Sequence, residues 1–433
     1  MCGRYRGRVP RSEIIATGLV ARLPPDSAVA VVRRGRCTVV GVEPAEVVTA
    51  WGADGVRVLD QLAPGFWVGW CSFELGHAVE RVIPRGASLD VASLPDLAFA
   101  RFDATAVVDE RGRVRVQGSG PGRALLERAA STGAPPNGAP PSGRLEATRW
   151  VSSLDRDSYR ARVETILALL RAGECYQVNL TRRLTCDRAL DPAALHAALA
   201  RSHPAPHTAL VRLPMLGAGT ALVSASPECF LRVRGRDVET RPIKGTAATR
   251  AALQSSAKDH AENVMIVDLA RNDLGRVCEA GSIDVPALCT IEAHPGLHHL
   301  VSTVRGRLRD GVGWGALVGA TFPPASVTGA PKPRVLQVIE DLEPVRRGAY
   351  CGAVGWIDTS STARGPGRVE ADLAVAIRTF TVLGTAVDGC THFGVGGGIV
   401  ADSHPEAEWE ETELKAARLL QLAGAGAAAL VPS

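Results

Sequence analysis

Ala221-Leu-Val-Ser-Ala-Ser-Pro-Glu-Cys-Phe-Leu-Arg-Val-Arg-Gly-Arg-Asp-Val-Glu-Thr-Arg-Pro-Ile-Lys-Gly-Thr246 reads as two β-rich runs folded about the turn-forming cluster Gly235-Arg236-Asp237. Closing this hairpin with a three-residue loop sets Arg234 opposite Val238 and Glu228 opposite Lys244. A two-residue loop moves the partner of Glu228 to Ile243. Either register brings a carboxylate and an amine from neighbouring strand ends within reach of one substrate.

Outward from the hairpin, short strand-like pieces (Ala28–Val32, Thr38–Val42, Phe102–Val108) lie before a Pro/Gly-rich run that starts at Ser131. Beyond it, Asp157 can cap a helix carrying Val163, Ile166, Leu167 and Leu170. A strand-like Gln177–Leu180 and helix-like Asp191–Leu199 follow. After the hairpin come helices at Ser256–Leu269 and Arg334–Leu342, strands at Ala353–Ile357 and Ala374–Val382, and a last helix after Ser403. Across 433 residues the formal net charge is only +4, so no basic block invites nucleic acid. No apolar stretch is long enough to span a membrane, and no secretory leader opens the chain. Ten scattered cysteines without a C-x-x-C pair suit reduced thiols in a cytoplasm.

Several groups could carry chemistry. Lys244 has apolar Pro242 and Ile243 before it and permissive Gly245 after it. A partly desolvated amine there becomes a nucleophile or base, although most lysines are solvated. Glu262 lies in a helix that is apolar almost all round, so it needs a cation or a hydrogen-bond partner. In Ser403-His-Pro-Glu-Ala-Glu-Trp-Glu-Glu-Thr412, Ser403 and Glu406 fit a capping box. Glu408 and Glu411 share one face, as carboxylate ligands of Mg²⁺ would. From spacing alone, helix-dipole and metal readings of these acids stand level. Gly394-Val-Gly-Gly-Gly398 misses the dinucleotide and phosphate-loop patterns and reads as a backbone nest for an anion. Arg378 ends a small-residue strand face that could grip a carboxylate, or simply pack on a close helix. His294, His298 and His299 lie near Cys278 and Cys289, but the spacing rejects zinc.

In order along residues 146–421, Gly173-Glu-Cys-Tyr-Gln-Val-Asn-Leu-Thr181, Ser226-Pro-Glu228, Pro242-Ile-Lys-Gly-Thr246, Ala261-Glu-Asn-Val-Met-Ile-Val-Asp-Leu269, His299-Leu-Val-Ser302, Thr328-Gly-Ala-Pro-Lys332, Ala376-Ile-Arg-Thr379 and the Gly396–Glu411 segment resemble the chorismate-utilising enzymes. Val68-Gly-Trp-Cys-Ser-Phe-Glu-Leu-Gly76 resembles the family's amino-terminal region more weakly. The resemblance implies an α+β fold, with two large, mostly antiparallel sheets packed as a sandwich and helices outside. It implies an amino-terminal region over 1–130 integrated with the sandwich, a Pro/Gly-rich loop over 131–145 and a chorismate-binding catalytic domain over 146–425. Anthranilate synthases of the family carry alanine where Lys244 stands, and aminodeoxychorismate synthases carry lysine. The sequence is therefore similar to component I of the latter, with anthranilate or isochorismate/salicylate synthase activity as the alternative.

That resemblance implies the following roles. Lys244 attacks C2 of chorismate, Glu228 acts as general acid, and ammonia then displaces the lysine. The product, 4-amino-4-deoxychorismate, leads to p-aminobenzoate and folate. Glu262 and Glu411, with Glu408 close by, would hold Mg²⁺. Gly245, Thr246, His299, Trp356, Arg378, Gly396, Gly397 and Gly398 would line the substrate. Trp356 stands where tyrosine is usual, Phe322-Pro-Pro-Ala-Ser326 replaces a glycine-containing loop, and His207-Thr208 replaces residues near the family's effector pocket. Cys2, Cys37 and Cys71 lack a Gly-x-Cys-x-Gly nucleophile turn, so a separate glutamine amidotransferase subunit is expected to supply ammonia.

Overall fold

A computed structural model describes residues 9–83, 94–131, 148–294, 297–360 and 369–431. Nearly all of the Pro/Gly-rich run lies outside them. The fold is α+β, built on a twelve-stranded and a ten-stranded sheet. Strands from before residue 131 enter both: Val29–Arg34 and Cys37–Val42 join the first sheet, and Glu46–Ala50 and Phe66–Cys71 the second. The ladders are antiparallel except for Ala425–Val431 alongside Thr148–Ser152. No helix among the described residues is long and apolar enough to cross a membrane.

Strand alternation builds two apolar layers from one run of sequence. Val29 and Val31 point into a core with the outer helices, whereas Ala28, Ala30 and Val32 point into a core between the sheets. Small Ala98, Ala100 and Ala209 share that inter-sheet core, which is how two backbones approach closely there. Outside the first sheet, helix Pro405–Leu422 packs on helix Arg156–Arg171 and on strand Cys390–Ile399. Helix Ala257–Gly275 lies on strand Leu297–Arg307 of the second sheet.

The chain crosses between the sheets twice around the future site. Strand Ala221–Ser226 belongs to the first sheet and Cys229–Arg234 to the second, and Glu370–Val375 returns to the first as Thr379–Leu383. The two crossovers are tied together: Val375 N–H donates to the Glu228 carbonyl at 3.0 Å, Ala225 N–H to the Arg378 carbonyl at 3.0 Å, and Ser226 Oγ to the Val375 carbonyl at 2.6 Å. This corrects the expectation of one continuous strand over Ala374–Val382. Its break falls at Ala376–Arg378, with Arg378 in the left-handed region at φ 52°.

The hairpin takes the two-residue turn, with Arg234 opposite Asp237 rather than Val238. A bulge then shifts the register so that Cys229 faces Arg241, and the hairpin ends before Pro242, which has no N–H to donate. Lys244 therefore lies on a separate strand, Ile243–Ala247, that among the described residues pairs only with Leu297–Arg307. Asp155, not Asp157, caps the helix after Thr148–Ser152, accepting the Ser158 N–H.

One buried ion pair braces the sandwich. Glu343 Oε1 accepts the Thr181 N–H at 2.8 Å, and Arg347 pairs with Glu343 at 2.7 Å. Arg347 also donates to the carbonyls of Val327 at 2.9 Å and Asn179 at 2.6 Å, and its guanidinium lies 4.2 Å from the Phe73 ring centroid. Removing one partner strands a buried charge, so Arg347→Met should cost about 3–5 kcal/mol in urea unfolding. Adding Glu343→Gln should recover part of that loss, and an unchanged midpoint in the single variant would refute the brace.

Candidate active site

The crossovers bring the charged groups together. Glu228 is 4% exposed, and burial pushes its carboxyl up to about 7, against the pull of the Ser326 hydroxyl, Lys244, the Ile243 N–H and Arg378. Lys244 belongs to a half-buried residue with an enclosed amine. Burial lowers its pKa, while Glu262 and Glu228 work the other way. Gly245 forms a bulge at φ 78°, and a Cβ there would meet Asp259 at 2.8 Å, so only glycine fits between Lys244 and Thr246. Thr246 Oγ1 lies 2.8 Å from His299 Nδ1, and His299 is 1% exposed.

Arg378 faces the same space. Burial lowers its pKa to about 10 against the field of Glu228, and its Nη1 lies 3.1 Å from His203 Nε2.

Gly394–Gly398 is not a nest. It is part of strand Cys390–Ile399, paired along one edge with Gln177–Cys186. On the other edge the ladder with Thr379–Leu383 ends at Phe393. Beyond it, the glycine edge has no strand partner among the described residues, and it is buried apart from the half-buried Gly398. Alternate faces of this strand meet different groups: a Cβ on Gly398 would lie 3.3 Å from Lys244 Nζ, and one on Gly397 would lie 3.0 Å from Glu408 and 3.9 Å from Glu411.

The capping box is also corrected. His404 is the N-cap of helix Pro405–Leu422, and Glu406 instead pairs with Arg156 at 2.6 Å on the surface. Ser403 Oγ donates to Glu408 at 2.6 Å. Burial raises the Glu408 carboxyl, offset by Ser403 and reinforced by Glu411. Burial also raises Glu262, with Lys244 and Lys258 opposing. For Glu411, burial is outweighed by Lys415, 2.5 Å away, so its pKa falls. Glu411 lies in the field of both Glu262 and Glu408, and all-oxygen carboxylate ligation is the kind a hard divalent cation takes, but the ligand atoms of the three do not converge within 4.8 Å of one another.

Trp356 is not part of this group. It packs in the inter-sheet core, with Nε1 donating to the Arg33 carbonyl at 2.8 Å and the Arg34 guanidinium 4.9 Å from its ring centroid. Strand alternation turns it to that face, so its expected place beside a substrate is withdrawn.

Sequence reasoning missed Gln177 and Lys415. Gln177 is fully buried, its amide nitrogen and oxygen have no hydrogen-bond partner among the described residues, and the nitrogen lies 3.0 Å from the Cβ position of Gly398. Its signals were a polar residue within a strand-like run and its place in the Gly173–Thr181 motif. Lys415 bridges Glu411 and the Gly396 carbonyl at 3.0 Å, and its helical spacing from Glu411 was legible.

Residues 38–421 match the family model for chorismate binding enzymes. Aminodeoxychorismate synthase component 1 of Klebsiella aerogenes is 38% identical over 364 residues, covering 82% of this chain and 76% of that protein. A component 1 anthranilate synthase of Haloarcula marismortui is 36% identical over 375 residues, 80% of this chain and 73% of its own length. Among solved structures, anthranilate synthase component I from Streptococcus pneumoniae superposes with a TM-score of 0.73 at 25% identity, covering 89% of this chain and 92% of that one. With the shared fold and the matched residues together, the chain belongs to the chorismate binding enzyme family.

Proposed function

We propose that this chain is the component I subunit of an aminodeoxychorismate synthase, converting chorismate and ammonia to 4-amino-4-deoxychorismate. The observation that carries the reading is the enclosed Lys244 amine beside Glu228, a carboxyl held near neutrality. Deprotonated Lys244 Nζ attacks C2 of the ring, the double bonds shift, and the 4-hydroxyl leaves as water with the proton of Glu228. Ammonia then adds at C4, the double bonds shift back, and the C2–N bond to Lys244 breaks. The unpaired Gln177 amide, beside the Lys244 amine, is suited to accept a hydrogen bond from ammonia. Arg378, the Thr246–His299 pair and the backbone of the glycine strand edge are suited to the substrate's carboxylates.

Glu262, Glu408 and Glu411 would hold Mg²⁺, whose chemistry is to neutralise a substrate carboxylate and withdraw electrons from the ring. The ammonia source in this reading is a separate glutamine amidotransferase subunit, as the name component 1 of the Klebsiella aerogenes relative suggests. Relatives named anthranilate synthase keep that product as the second reading, and mass analysis of the product separates the two.

Lys244→Ala should remain folded and form no aminodeoxychorismate from chorismate and ammonium, and Glu228→Gln should lose about 10²–10⁴-fold in kcat. Wild-type turnover in Lys244→Ala would exclude the lysine adduct. Because Lys244 must be neutral and Glu228 protonated, kcat at constant free ammonia should rise and then fall with pH, and Glu228 should set the falling limb near pH 7. A falling limb that is unchanged in the residual activity of Glu228→Gln would remove Glu228 from the proton transfer. Glu411→Gln should raise the Mg²⁺ requirement far more than Glu406→Gln, whose surface ion pair is worth about 0–1 kcal/mol. Equal effects would return the helix acids to a structural role.

A further inference from the structure

Asn263 follows Glu262 on helix Ala257–Gly275 and is fully buried. Its Nδ2 donates to the Leu300 carbonyl at 3.1 Å, and its Oδ1 accepts the Ser302 hydroxyl and faces the Cys289 thiol at 3.6 Å. Ser302 Oγ in turn accepts the Cys289 N–H at 2.8 Å, closing a ring of side chain and backbone. These contacts land at a particular place. Leu300 is the cross-strand partner of Lys244, and Ser302 N–H donates to the Pro242 carbonyl, at the start of the Lys244 strand. One amide thus fastens the helix bearing Glu262 to the strand positions that carry Lys244.

A second observation marks the spot as more than ordinary packing. Cys289 adopts φ 50°, a left-handed conformation that costs a non-glycine residue on the order of 1–3 kcal/mol. It lies where the ladder between Asp284–His294 and Leu297–Arg307 slips register, between Ala287 and Thr290. The bulge turns the Cys289 N–H and thiol toward Ser302 and Asn263. Strain of this kind persists where the surroundings over-determine it.

We infer that Asn263 is a positioning residue: with Ser302 and the Cys289 bulge it sets the position of the Glu262 carboxylate relative to Lys244 and to the cation-binding carboxylates. This rests on the reading of Glu262, Glu408 and Glu411 as a divalent-cation site, and it adds a support not contained in that reading. Outer-layer hydrogen bonds that orient ligating carboxylates typically govern about 10–100-fold in metal affinity or activity. Asn263 has no contact of its own with the reacting groups, so its effect passes through the position of Glu262.

The test is Mn²⁺ binding followed by electron paramagnetic resonance on the full chain, with Asn263→Ala, Ser302→Ala and the double variant. Leu126→Ala, in the remote core against the outer helices, serves as a control for stability loss alone. Expected is a roughly 10–100-fold weaker Mn²⁺ affinity in each single clamp variant, little further loss in the double variant, and unchanged affinity in Leu126→Ala. With saturating Mg²⁺, kcat should fall while the KM for chorismate changes little. Wild-type affinity in folded Asn263→Ala and Ser302→Ala would overturn the clamp. A wild-type chain that binds no Mn²⁺ would instead overturn the cation reading beneath it, and Leu126→Ala weakening to the same degree would reduce Asn263 to a fold-stability role.

Discussion

The scaffold near the site depends on where strand Gln177–Cys186 lies against the turn at Phe73 that follows strand Phe66–Cys71, and the Glu343–Arg347 pair ties the two together. Both charges are buried and spend their hydrogen-bonding capacity on backbone groups of different segments. An apolar contact could fill the same volume, but it would not satisfy the Thr181 N–H or the Asn179 and Val327 carbonyls. The pair thus sets the course of strand Gln177–Cys186. That strand presents Gln177 to the Lys244 amine and pairs with the glycine strand opposite. A bond network outside the reacting groups decides where their scaffold lies.

The crossovers then do for charge what the brace does for distance. Glu228 and Arg378 come from segments 150 positions apart in the chain, yet the hydrogen bonds linking the two crossovers make them neighbours. Leaving one sheet for the other ends the ladder on both, so side chains at the crossing point turn inward toward each other. Burial there raises the carboxyl of Glu228 and lowers the amine of Lys244, which drives the pair toward its neutral forms. A neutral acid beside a neutral amine is the state from which acid-assisted nucleophilic attack starts.

Much of this was legible in the sequence, for reasons that differ by element. Helix Ala257–Gly275 was readable from the apolar run after Glu262, but the expectation that it is apolar almost all round fails: Ile266, Val267, Ala270 and Leu274 are buried while Val264 and Asp268 face out. The pairing of Glu228 with Lys244 was readable in outcome but not in form. Alternation and a turn cluster predict a hairpin, whereas the bulge after Cys229 and the loss of a donor at Pro242 are local events that periodicity does not encode. The break at Ala376–Arg378 was invisible because Ala374–Val382 alternates well on either side of it, and only the partner sheets reveal the change. Trp356 was misassigned because its resemblance to a family position carried no information about which strand face it takes. Gln177 was missed because a buried, unpartnered amide shows itself only once its neighbours are known.

The glycine edge of strand Cys390–Ile399, which has no strand partner beyond Phe393 among the described residues, has a consequence for the protein as a material. Unpaired backbone donors and acceptors on a strand edge are templates for pairing with other chains, and folded proteins usually blunt or cover them. Here the cover is the fold itself: Gly394, Gly396 and Gly397 are buried, and Lys415 holds the Gly396 carbonyl. Resistance to self-association along this edge therefore rests on helix Pro405–Leu422, which carries Lys415, staying docked on the strand.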